Sequence, residues 1–261
     1  MRRTRSTILV LAVAFVGLVS CDSGGSADPA TIAPASSSPT DASTTASSST
    51  SSSTTEPATT VVDTTAPAGS LPEGDIGLSP DGPWRLVDSA PGITTPGLVY
   101  ELMPKLWVYL PVEEDIEQGI LWTLTEEDLP IIEAYLQARL VYFQSVTSDR
   151  IDLDNPGWSE WYSDGGRTYL DNLTIRRNEG QVVDLDVGVV LRPVVIGDER
   201  TEVEAIVFDC VLDGGVFRSP DGSLAPGSAL GVAPHGIGMR LRDVGAHWVV
   251  EQVGEQPNAC D

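Results

Sequence analysis

The chain has 261 residues and carries 38 acidic against 15 basic side chains, a net charge of −23 with histidine neutral. That balance excludes nucleic acid as a partner, because a polyanion is held by Lys and Arg that displace its counterions, and it disfavours anionic lipid headgroups for the same reason. Acidity of this size serves solubility, and the length, less a leader and a polar tether, leaves one domain able to bury a core of its own.

The first segment is a leader. Arg2, Arg3 and Arg5 give a basic start, Ile8 to Val19 an apolar run, and Leu18-Val19-Ser20-Cys21 has the form of a lipobox. Residues 1–20 are therefore expected to be a lipoprotein signal peptide and Cys21 the site of lipid attachment, which would place the protein on the extracytoplasmic face of the cell membrane. The apolar run is too short to cross a bilayer, for which about 20 residues are needed. Residues 21–75 follow as a tether rich in Ser, Thr, Ala and Pro. A composition so poor in large apolar side chains cannot offset the entropy of ordering, and disorder is expected.

Residues 76–261 are expected to form a single globular domain. Its first part, to Thr123, offers only short signals, read as brief strands or extended segments: Trp84 to Val87, Leu98 to Leu102 and Leu106 to Leu110. Pro91, Pro96, Pro104 and Pro111 punctuate them, which suggests segments that wrap the domain or lie at a sheet edge. Leu129, Ile132, Leu136, Leu140 and Phe143 then recur at helical spacing, widened by Ala134, Tyr135, Ala138 and Val141, and predict a long core-facing helix to about Gln144. Asp128 is the preferred N-cap over Thr125, since it leaves Pro130 in the first turn. The acidic stretch after Asp149 contains Asp152-x-Asp154, but Pro156 and Ser163 occupy positions where a calcium loop needs ligands, so no metal site is assigned. A short helix is expected near Arg167 to Arg176.

The last third changes period. Val183, Leu185, Val187, Val189 and Leu191 alternate with Asp184, Asp186 and Gly188 and predict one strand with a single buried face. Val203 to Leu212 is apolar on both faces and predicts a central strand. Met239 with Leu241, and Trp248 to Val250, complete a set of four antiparallel strands. Cys210 and Cys260 form an even pair in an oxidising location and are expected to be disulfide-bonded, closing a loop of about 50 residues. A metal site built on them is disfavoured, because no His stands at ligand spacing.

A long helix, a short helical segment and antiparallel strands ending in Gly245-Ala246-His247-Trp248-Val249-Val250 resemble the NTF2-like, or SnoaL-like, family. Together with the lipobox, the Ser/Thr tether and the Cys210/Cys260 pair, the chain resembles lipoproteins of GC-rich Gram-positive bacteria that carry such a domain. The resemblance spans about Leu129 to Cys260. It implies an α+β NTF2-like cone, with a long N-terminal helix packed on a curved antiparallel sheet and a core at about 125–261. Family members range from isomerases and dehydratases to binding modules, so the fold alone does not settle function.

Asp209 stands between Val207 and Val211 on the central strand, where an ionised carboxylate must find a partner. Arg240 or Arg242 is the expected partner, in a structural ion pair. Asp209, Tyr142 and Tyr135 are the candidate pocket residues. No nucleophile elbow, zinc-protease motif or phosphate loop is present, and no catalytic, cofactor-binding or metal-binding residue is assigned. The expected function is a surface-tethered, non-catalytic binding domain whose partners, besides the membrane through lipid on Cys21, are a small apolar ligand or an envelope protein. The alternative is a small-molecule isomerase, dehydratase or hydrolase using Asp209.

Overall fold

The computed structural model describes residue 71 and residues 76–114 and 122–260. The expected signal peptide, Cys21 and all of the tether but Leu71 lie outside the described residues. The chain divides into two units, 1–61 and 62–261, and the described residues all belong to the second.

Ten strands and three helices follow in order: β1 (Arg85–Val87), β2 (Leu98–Met103), β3 (Leu106–Leu110), α1 (Leu129–Val146), α2 (Gly157–Trp161), α3 (Tyr169–Asn178), β4 (Val182–Asp184), β5 (Val189–Leu191), β6 (Pro193–Val195), β7 (Glu204–Asp213), β8 (Val216–Arg218), β9 (Ala233–Asp243) and β10 (Trp248–Glu255). Eight of the strands form one sheet in the order β1-β2-β3-β5-β7-β9-β10, with β6 also paired to β7, while β4 and β8 make a separate two-stranded sheet.

This arrangement overturns the expected NTF2-like cone. The sheet is mixed, because β3 and β5 run parallel, and it is not a four-stranded antiparallel surface confined to residues 125–261. The three brief strands expected before Thr123 form, but within the main sheet rather than around the domain. Of these only β1 is an edge; Leu106, Val108 and Leu110 of β3 are fully buried. Pro104 and Pro111 lie just outside β2 and β3, where a missing N–H costs the ladder nothing.

The single strand expected from Val183 to Leu191 is two. Asp186 and Gly188 both take positive φ, 39° and 99°, and the chain turns between them. A Cβ on Gly188 would stand 2.4 Å from the Trp107 ring, so glycine is needed there for space as well as for conformation. The period-two pattern thus runs across a turn: β4 leaves to pair with β8, and β5 enters the main sheet beside β3. Lys105, the only lysine, marks the other side of this junction; its Nζ donates to the Asp186 carbonyl and its own carbonyl accepts from Val189 N.

Helix α1 follows the spacing that predicts it and lies against β6, β7 and β10. Ile132, Tyr135, Leu136 and Ala138 are fully buried, and each large apolar side chain so placed contributes about 1.5–3 kcal/mol. Asp128 occupies the N-cap position with Pro130 in the first turn, yet its side chain caps no backbone N–H. It is instead held by Thr125 Oγ1 at 2.7 Å and by Arg200 Nη1. The opposite face of the sheet carries a smaller cluster of Ala90, Val99, Tyr109 and Val190.

Candidate functional site

The central strand brings the candidate residues to α1. On β7, Val207, Asp209 and Val211 share the buried face, and along α1 Tyr135, Arg139 and Tyr142 follow at spacings of four and three, one side of a helix. Tyr135 Oη donates to Asp209 Oδ2, and Arg192 N donates to Asp209 Oδ1 at 2.6 Å. Both carboxylate oxygens are therefore engaged.

The second of these bonds repairs the sheet. β5 and β6 pair with β7 at one continuous offset that would set Arg192 opposite Cys210. At that step the Arg192 N–H goes to the Asp209 carboxylate, while Arg192 Nε donates to the Cys210 carbonyl at 2.8 Å. Side chains thus satisfy both backbone groups where the ladder breaks, as buried polar atoms require.

Asp209 is fully buried, and burial pushes its carboxyl above the usual carboxylate range against the pull of Arg139, the Tyr135 hydroxyl and the Arg192 N–H. Arg240 and Arg242, its expected partners, point elsewhere: both are exposed on β9, where Arg242 pairs with Glu204 and Glu251. Alternation explains this, since Ile237, Met239 and Leu241 take the buried face. The nearby cation is Arg139, which is 3% exposed. Its guanidinium lies 5.1 Å from the Tyr142 ring centre and 4.9 Å from that of Phe143, and the Tyr169 hydroxyl faces it. Arg139 Nε has no hydrogen-bond partner, and Arg139 belongs to none of the ion pairs among the described residues.

A cavity of about 120 Å³ opens beside this arginine. Arg139, Tyr142, Phe143 and Tyr169 line it from the helices, Val211, Asp213 and Ile237 from the sheet, and Val216 and Phe217 from β8, with His235 also in the lining. Burial pushes the Tyr142 phenol up to about 12, and raises that of Tyr169, so both remain neutral hydroxyls at neutral pH. The walls formed by Tyr142, Tyr169 and Phe217 are shared with a larger groove of about 630 Å³ along α3, where Arg176 lies over the Phe217 ring at 4.6 Å. A third groove, lined by Trp84, Trp161 and Trp248, holds His247, whose Nε2 is 3.0 Å from the Glu160 carbonyl oxygen.

Of the candidate residues, Tyr135 and Asp209 meet directly and Tyr142 lines the cavity. Neither Tyr135 nor Asp209 lines any of these three spaces. Arg139, Tyr169 and Arg192 are the participants not foreseen in the sequence. Arg139 could have been noticed as a cation standing four residues after Tyr135 within the apolar stripe. Among the described residues no group of three His, Cys, Asp or Glu side chains could hold a metal ion, and no helix is long and apolar enough to cross a membrane.

No protein-family model matches the chain, and no curated protein matches it. Among solved structures the chain is similar to the crystal structure of the intermembrane space region of chloroplast protein ARC6, at 12% identity and a TM-score of 0.33, over 45% of this chain and 90% of that one. That likeness is too low to bear on fold or function.

Proposed function

We propose that the protein is a lipid-anchored binding module, held at the extracytoplasmic face of the membrane by Cys21, whose domain takes a small molecule between its helices and the main sheet. The observation that carries this reading is the cavity beside Arg139: a concave, mostly apolar space with a few convergent polar groups is what a small-ligand site needs. The enzymatic alternative rests on Asp209, and the geometry favours it less. A general base must reach a substrate proton, whereas both Asp209 oxygens accept from the protein and the residue is closed off from the cavity.

The anchoring is supported by the order of basic, apolar and lipobox residues ahead of Cys21. Substituting Cys21→Ala is expected to remove lipid attachment, and metabolic labelling with a palmitate analogue should mark the parent alone. An unlabelled parent, or a variant labelled as strongly, would defeat the anchoring; for the binding reading, the decisive measurement is calorimetric titration with a small ligand.

A further inference from the structure

We propose that the cavity beside Arg139 is a site for a small monocarboxylate, held head-inward by the guanidinium with its short apolar body against Phe143, Val216 and Phe217. This rests on the binding reading and names the class of ligand.

Four observations support it. Arg139 lines the cavity, is buried, and is ion-paired to no other described residue, although a buried charge is costly unless it is paired and hydrogen-bonded. Its planar fork of donors matches a carboxylate, which can accept two parallel bonds from it. The Tyr142 and Tyr169 hydroxyls border the same space and stay protonated at neutral pH, so they too can donate to an anion. Apart from Asp213 and His235 the remaining walls are apolar, which suits a ligand whose other end is uncharged.

Size and charge narrow the class. A volume of about 120 Å³ holds roughly four waters or one small organic acid, far less than a nucleotide or a lipid needs. Asp213 shares the lining, and the whole chain carries −23. A single negative charge is therefore better tolerated than the two of a phosphate monoester. Asp209 attracts Arg139 across the core but is not ion-paired to it, and its two oxygens are met by the Tyr135 hydroxyl and the Arg192 backbone.

The test is calorimetric titration of the full chain, in nonionic detergent, with butanoate and with its neutral isostere butanamide. Butanoate is expected to bind and butanamide to bind at least about tenfold more weakly, the loss of one charge-assisted contact. Arg139→Gln should weaken butanoate by about the same factor and leave butanamide unchanged. Because that variant also alters a buried charge, Val216→Leu offers a second probe: it narrows the cavity without touching Arg139 and should weaken both ligands. Equal binding of acid and amide, or butanoate binding undiminished in Arg139→Gln, overturns the carboxylate inference while leaving the binding reading intact. If neither molecule binds the parent at millimolar concentration, both fail.

Discussion

Asp209→Ala is expected to destabilise the fold by about 3–5 kcal/mol, measured by urea unfolding at neutral pH. The side chain is fully buried and accepts from the Tyr135 hydroxyl and from Arg192 N. Alanine leaves both donors without acceptors, at about 1–3 kcal/mol each, and removes a carboxylate that attracts the buried Arg139. Asp209→Asn should cost about half as much or less, because its amide oxygen can still accept from Arg192 N and the Tyr135 oxygen can accept from its NH2. The sign of the pH dependence follows from burial, which raises this carboxyl in the folded state. The unfolded chain loses the proton near pH 3.9, so above that the native state binds more protons and stability falls as pH rises. The contribution is full below the unfolded value and is lost as pH passes the raised folded one. Asparagine cannot titrate, so the gap between parent and Asp209→Asn should narrow from pH 3 toward pH 7. A gap that widens, or an alanine variant within about 1 kcal/mol of the parent, would show that the carboxylate does not hold this junction together.

What the sequence shows of this site follows from where its periodicities are local. Helix α1 is legible because Leu129, Ile132, Leu136, Leu140 and Phe143 repeat within one element, and the burial of Asp209 is legible because Val207 and Val211 flank it on the same face of β7. Pairing between elements is not local. The parallel contact of β3 with β5 joins residues separated by three helices, and nothing in Leu106 to Leu110 names its partner. The alternation from Val183 to Leu191 misleads for a different reason: Asp186 and Gly188 fit the polar phase of a strand, while their positive φ values turn the chain. Arg139 escapes because an arginine between Ala138 and Leu140 reads as the polar side of a helix until Tyr135 and Tyr142 are seen to share its face. The fold class fails for the same non-local reason, since a long helix and late alternating strands are common to many sheets that differ only in strand order.

Reduction of the Cys210–Cys260 disulfide is expected to lower stability by about 4 kcal/mol, which for a domain of this size corresponds to a fall in Tm of roughly 8–16 °C. The bridge spans 50 positions, and in the chain-entropy account a loop of that length restricts the unfolded ensemble strongly. It also fastens a segment with little else to hold it. Pro257–Cys260 forms a single 3-10 turn across β7 and β9, joined to the sheet by Gln256 N donating to the Gly236 carbonyl. The fit there is close: a Cβ on Gly236 would fall 1.8 Å from the Gln256 carbonyl oxygen, so that only glycine allows the terminal segment to lie flat. Cys260→Ala should therefore melt like the reduced parent, while the main sheet keeps its far-ultraviolet dichroism. Cys210→Ala should cost more than Cys260→Ala, because it also removes the sulfur that Arg192 Nη2 approaches at 2.7 Å beside the Asp209 junction. Unreduced peptide maps of the parent should yield one linked peptide containing both cysteines, and two freely alkylated thiols, or a reduced protein melting with the parent, would refute the bridge as a stabilising element.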